Sequence, residues 1–349
     1  MSEARVDVDD LVRGVLDGEH RALARAITTI ENREPGYRDL VSALHGHTDG
    51  TAVVGVTGSP GAGKSTLVDK LAKAYRDAGL TVGVIAVDPS SPYSGGAVLG
   101  DRIRMASNVG DMDVFFRSMS ARGQLGGLST ATADAITALD AFGKDRIIVE
   151  TVGAGQNEVD VVRTADSVVV LVQPGSGDDV QMLKAGILEI GDLFVVNKAD
   201  MDGAATTVTD LREMLHLRDG STGGGGHHGL ETHDSVDGDD DSDDAWDPRV
   251  LETVATEGEG VDDLIDALDD HRAHLRETGE LDERAHTRYA EEIRQLLRAD
   301  AADLLETELD RHGGIDELAD AVQARETDPY SVVDRVLDPL ADCVERRRE

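Results

Sequence analysis

Short apolar runs alternate with longer amphipathic stretches through most of the chain. Strands are predicted near 52–57, 81–87, 113–116, 146–150, 167–172, 192–196 and 250–254. Val168–Val172 (VVVLV) is apolar at every position, as a strand buried on both faces of a parallel sheet requires. The stretches between strands carry helical spacing. In Lys64–Asp77, for example, Leu67, Leu71 and Ala74 share one face. Strand–helix alternation predicts an α/β fold, a parallel central sheet flanked by helices on both faces.

The two ends of the sequence read differently. Val8–Leu16, His20–Glu31 and Tyr37–Leu44 predict an N-terminal helical extension over 1–48. Glu283–Glu308, Gly314–Arg325 and Tyr330–Arg348 predict a C-terminal helical region over 276–349, with Ile293, Leu296 and Leu297 on one apolar face and Val332, Val333, Val336 and Leu337 on another. Those faces suit packing against the central domain. The domain between, 49–275, is interrupted at 219–247 by four consecutive glycines, Gly223–Gly226, and the acidic run Asp239–Asp241, without Lys or Arg. With almost nothing apolar to bury, that insertion is expected to be a disordered surface loop. Its His227, His228 and His233 lie beside acids and form a weak candidate for a transition metal.

Candidate chemistry begins where the first strand ends. Gly58-Ser59-Pro60-Gly61-Ala62-Gly63-Lys64-Ser65, followed by Thr66, fits G-x-x-x-x-G-K-[ST] between a predicted strand and a predicted helix. Glycines let successive backbone N–H groups turn inward toward phosphate oxygens, and the helix N-terminus adds partial positive charge. Lys64 is expected to reach the β- and γ-phosphates, and the Ser65 hydroxyl to bind Mg²⁺. A nucleoside triphosphate is the implied ligand, and the fold becomes a P-loop NTPase.

The base is specified further on. Asn197-Lys198-Ala199-Asp200 closes the strand at 192–196 with the pattern N-K-x-D. An aspartate there can accept from the guanine ring N–H and exocyclic amine together, whereas adenine would leave a buried carboxylate unpaired. Sites built that way discriminate by about 10⁴ or more. Val254-Ala255-Thr256 occupies the place of a loop closing over the base. At the end of Arg146–Glu150 (RIIVE), Glu150 is placed to hold Mg²⁺ directly or through water, and the Gly153 N–H to contact a γ-phosphate. Most GTPases carry Asp at the Glu150 position.

These motifs resemble the G3E group of P-loop GTPases (the SIMIBI type of fold), named for that glutamate. Val87–Pro92 (VDPSSP), Gly100–Met105 (GDRIRM), Gln181–Ile187 (QMLKAGI) and Arg21–Thr28 look like the MeaB/ArgK family. The resemblance runs from about His20 to Leu275. It implies a slow GTPase using GTP/GDP and Mg²⁺, acting as chaperone of adenosylcobalamin-dependent methylmalonyl-CoA mutase. It also implies a homodimer formed through the C-terminal helices. An older name for relatives implies a kinase or ATPase of amino-acid transport, and neighbouring branches insert nickel or cobalt. Carried over by position, Ser65, Asp88, Asp101 and Glu150 form the magnesium neighbourhood. Segments 90–99, 153–159 and 175–184 correspond to the family's switches. Gln156 and Lys184 are both candidates for positioning water or stabilising developing charge beside Lys64 and Glu150, and the choice between them stays open.

Composition sets the surroundings. There are 70 acidic and 34 basic residues, a net charge of −36, and 3% aromatics, with Arg far outnumbering Lys. Such a surface repels nucleic acid and anionic membranes. At 1 M salt the screening length falls to about 3 Å, so acid spread along the chain suits a salt-filled, halophilic cytoplasm. One cysteine, Cys343, excludes an internal disulfide and a cysteine-rich metal site. With no leading apolar segment and no run of membrane-spanning length, a soluble cytoplasmic protein is expected.

Overall fold

The computed structural model describes residues 7–88, 106–108, 110–120, 127–151, 163–175, 189–222 and 245–346. They form two compact units, Met1–His286 and Thr287–Glu349. In the first, β1 (Ala52–Gly58), β2 (Val82–Asp88), β3 (Val114–Ser120), β4 (Arg146–Thr151), β5 (Ser167–Val172), β6 (Leu193–Asn197) and β7 (Arg249–Thr253) make one sheet. The order is β3-β2-β4-β1-β5-β6-β7, and every pairing is parallel. All seven strands therefore end at the same edge, where loops from several strands can share a ligand.

Alternating residues of each strand feed opposite faces. Val53, Ile85, Phe115, Met119, Ile147 and Val149 face a layer made by α1 (Val8–Leu16), α2 (His20–Glu31), α3 (Tyr37–His45) and α5 (Gly127–Ala141). Val54, Val56, Ile148, Val169, Leu171 and Val195 face α4 (Lys64–Asp77) and α7 (Val261–Thr278). The half formed by β5 and β6 is covered by α6 (Ala204–Thr222) through Val208, Leu211 and Leu215. The N-terminal helices are thus part of the sheet's own core, with Leu23, Ile27, Leu40 and Leu44 fully buried. Each side chain of that kind contributes about 1.5–3 kcal/mol when buried.

β3 runs four residues beyond the predicted 113–116 stretch. Its extension reads as polar, but Met119 is buried and the Arg117 guanidinium meets Glu31 of α2 at 2.5 Å. α6 likewise reaches Thr222, past the expected start of the acidic insertion at 219; residues 223–244 lie outside the described ones.

Carboxylates close the opposite, amino edge of the sheet. Asp140 accepts from the Asp49, Gly50 and Thr51 N–H groups at 3.1–3.2 Å, Asp166 from Val53 N–H at 3.0 Å, and Asp192 from Val168 N–H at 2.8 Å. Each satisfies a backbone donor that the parallel ladder leaves at a strand start. Asp192 also takes a two-pronged contact from Arg284 at 3.0 and 3.2 Å.

The second unit contains most of α8 (Glu280–Arg311), with α9 (Gly314–Gln323) and α10 (Pro329–Arg346). These match the C-terminal helices expected from periodicity. No residue of α8 is fully buried, and Ile293, Leu297 and Leu304 are exposed.

Candidate functional site

The phosphate loop joins β1 to α4 at the carboxyl edge. Its glycines are dictated by geometry. Gly58 has φ 137°, and a side chain there would run into the Leu171 backbone of the neighbouring strand. Gly63 has φ 95°, and a β-carbon would strike the Asn197 amide. Both values lie where L-residues are strained, so only glycine lets the loop close against β5 and β6. Ala62 is fully buried, Pro60 and Gly61 are exposed, and Ser59, Ser65 and Thr66 are half-buried. Lys64, 7% exposed, folds back along the loop and donates to the Gly58 carbonyl at 2.7 Å and the Ser59 carbonyl at 3.1 Å. Its ammonium is thereby held within the concave side, where phosphate charge would lie.

Ser65, in the first turn of α4, donates from Oγ to Oε1 of Glu150 at 2.5 Å. Glu150 is the penultimate residue of β4, is 3% exposed, and pairs in register with Val56 of β1. A hydroxyl and a carboxylate thus meet beside the phosphate loop. Hard oxygen donors of this type suit Mg²⁺, which takes few protein ligands and completes its shell with water and phosphate. Among the described residues no cluster of three or more His, Cys, Asp or Glu forms a protein-only metal cage. Asp88 is the last residue of β2, at the same edge. Asp101, Gly153, Gln156 and Lys184 lie outside the described residues, as do the segments 90–99, 153–159 and 176–184.

The second half of the site is built on Asn197, the last residue of β6 and 2% exposed. Its Nδ2 donates to the Ala62 carbonyl at 2.7 Å. Its Oδ1 accepts from Thr253 Oγ1 at 3.1 Å and from Ala255 N–H at 3.0 Å. One amide therefore ties the phosphate loop to the β7 loop, leaving Val254 and Ala255 buried and Thr256 exposed. Lys198 has φ 60° and extends its ammonium to the Gly61 carbonyl at 2.8 Å and to Gln173 Oε1 at 2.9 Å. Asp200 is exposed two residues on. The loop, Ser65, Glu150, Asn197, Lys198 and the 254–256 loop, scattered over two hundred residues of sequence, thus converge on one edge.

Two features escaped the sequence reading. Gln173 is the first polar residue after the apolar run of β5, and its place at the carboxyl edge was the available signal. Asp69, a 4%-exposed carboxylate in α4, accepts from Ser107 N–H and Asn108 Nδ2, both at 3.0 Å. Nothing in its helical context announced that buried pairing.

Residues 23–310 match the family described as methylmalonyl Co-A mutase-associated GTPase MeaB. A protein from Pyrococcus abyssi is 46% identical over 330 residues, covering 95% of this chain and 96% of its own length. The Mus musculus protein named methylmalonic aciduria type A homolog, mitochondrial, is 33% identical over 299 residues, 81% of this chain and 67% of its own. The crystal structure of an LAO/AO transport system kinase has a TM-score of 0.64 at 26% identity, covering 98% of this chain and 100% of that one. Among the described residues no helix is long and apolar enough to cross a membrane. The family pattern spans both the phosphate-loop strand and the N-K-A-D strand, so the chain belongs to the MeaB family and is a P-loop GTPase.

Proposed function

We propose that this GTPase is a chaperone that gates adenosylcobalamin loading and protection of methylmalonyl-CoA mutase. The observation that carries the reading is the match of residues 23–310 to a family named for association with that mutase. In this reading Gly58–Thr66 cradle the phosphates of GTP or GDP, Asn197, Lys198 and Asp200 with Val254–Thr256 hold the guanine, and Ser65 and Glu150 hold Mg²⁺ with Asp88 and Asp101. Catalysis needs little beyond positioning and charge. Lys64 supplies positive charge at the β–γ bridge, Gly153 senses the γ-phosphate, and Gln156 or Lys184 completes the site. The helices of 276–349 form the dimerisation arm, and the net charge of −36 suits a salt-rich cytoplasm.

The test mixes purified mutase with this protein at high salt. GTP hydrolysis should rise several-fold, and adenosylcobalamin transfer should depend on nucleotide. By linkage the mutase must then distinguish the GTP and GDP forms by the factor with which nucleotides distinguish bound from free mutase. A mutase that neither binds nor changes turnover refutes the chaperone role and leaves the GTPase intact. The structural likeness to a transport kinase is read in the same assay, because label from [γ-³²P]GTP should appear in inorganic phosphate and not on protein.

A further inference from the structure

We propose that Gln173 is a positioning residue for guanine-nucleotide binding, holding the Lys198 ammonium against the phosphate loop and so setting nucleotide residence time. The inference rests on the GTPase assignment and concerns the same site.

Gln173 directly follows β5, the strand lying between β1 and β6. Its neighbours in the sheet are therefore the two strands whose ends carry the phosphate loop and the N-K-A-D turn. Leu171 pairs with Gly58 on one side, and Val172 with Val196 on the other. Pro174 behind it is buried, which fixes the backbone from which the half-buried Gln173 side chain projects. Its Oε1 accepts from Lys198 Nζ at 2.9 Å, while the same ammonium donates to the Gly61 carbonyl at 2.8 Å. A β-carbon placed on Gly61 would lie 4.0 Å from that oxygen, so amide, ammonium and loop form one packed cluster.

An ammonium has three donors, and here two are fixed by acceptors on different strand ends. Lys198 also sits at φ 60°, a backbone conformation that persists only where surrounding contacts over-determine it. The Gly61 carbonyl belongs to a loop that ligand contacts can reshape. The Gln173 amide hangs from the residue between the end of a central strand and the buried Pro174, and it is the better anchored half of the pair. Without it, the long lysine stem regains rotamer freedom and its charge leaves the loop.

The experiment measures dissociation of fluorescent GDP, in Mg²⁺ and high salt, for Gln173→Ala, Gln173→Leu, Gln173→Glu, Lys198→Ala and the double Gln173→Ala/Lys198→Ala variant, each with its thermal midpoint. Loss of a hydrogen bond to a charged group predicts release faster by about tenfold in Gln173→Ala and Gln173→Leu. Gln173→Glu, which keeps the acceptor, should restore slow release. The double variant should release GDP no faster than Lys198→Ala alone, because both changes break one interaction. Release within twofold of the parent in both Ala and Leu variants, failure of Glu to rescue, or effects that multiply in the double variant overturns the proposal. A parent protein that retains no GDP overturns the guanine-nucleotide reading itself.

Discussion

Replacing Asn197 by alanine removes three hydrogen bonds, one to the phosphate loop and two to the end of β7 and its following loop. The Ala62 carbonyl loses a donor at 2.7 Å, and the Ala255 N–H loses an acceptor at 3.0 Å. Both residues are buried, so water cannot simply replace the amide. A stranded buried polar group costs about 1–3 kcal/mol. The third partner, the Thr253 hydroxyl, can rotate to another acceptor and adds little. Two backbone groups give a gross cost of about 2–6 kcal/mol, and local relaxation should leave about 3 kcal/mol. Domains of ordinary stability, about 5–15 kcal/mol, survive that loss. The expected result is a lower denaturation midpoint with a folded protein at room temperature, and GDP affinity reduced about tenfold or more because the phosphate loop and the 254–256 loop are no longer tied. Asn197→Asp sharpens the test. It keeps the acceptor facing Thr253 and Ala255 but sets an anion against the Ala62 carbonyl, so it should impair nucleotide binding more than it destabilises β7. Denaturant titration and calorimetry with GDP at high salt provide the readouts. An alanine variant within 1 kcal/mol of the parent in stability, and within about threefold in GDP affinity, refutes the bridging role.

Ser65→Ala and Glu150→Gln should each lower Mg²⁺-dependent GTP turnover by about 10²-fold while GDP binding in EDTA persists; phosphate release decides it, and an unchanged magnesium dependence counts against the pair as metal neighbours. Asp200→Ala should abolish preference for GDP over ADP in calorimetry, and a parent protein binding both equally would remove the guanine assignment. His271 offers a pH prediction: burial pushes its imidazole down to about 4, against about 6.5 in an unfolded chain. The unfolded state therefore binds more protons between those values. Its stabilising contribution is complete above about pH 6.5 and is lost as pH falls toward 4, at up to about 1.4 kcal/mol per pH unit. His271→Gln should flatten the stability profile in that window relative to the parent, and identical slopes would exclude the buried neutral imidazole.

The strands were legible because parallel strands buried on both faces are apolar throughout, as in Val168–Val172 and Leu193–Val196. The phosphate loop and N-K-A-D were legible because glycines at strained φ and a polar residue at a strand end leave local signatures. β3 was read short because its extension is held by Met119 burial and the Arg117–Glu31 ion pair, both supplied by another element. Gln173, Asp69 and the carboxylates at the amino edge were missed for the same reason. Their partners are distant in sequence, and an isolated Asp or Gln looks alike whether it caps, bridges or faces solvent. The N-terminal helices were found by periodicity, but their share in the sheet's core is a property of packing that no window of sequence contains.

Trp246, the chain's single tryptophan, carries a practical consequence. Its indole donates to the Asp192 carbonyl at 2.9 Å, lies 4.7 Å from the His271 ring, and is covered by the Arg249 guanidinium at 4.8 Å. Asp192 precedes β6 and Asn197 ends it, so about 16 Å of strand separates the indole from the nucleotide edge. Intrinsic fluorescence at 295 nm excitation is therefore a one-site optical reporter. Two imidazoles adjoin it, His271 and, at 5.5 Å, His274, and a protonated imidazole quenches indole emission, so the His271 titration is the part of the pH profile that His271→Gln removes. A nucleotide held at the phosphate loop would lie too far away to touch it, so an emission change on adding GTP would report a rearrangement transmitted through the sheet.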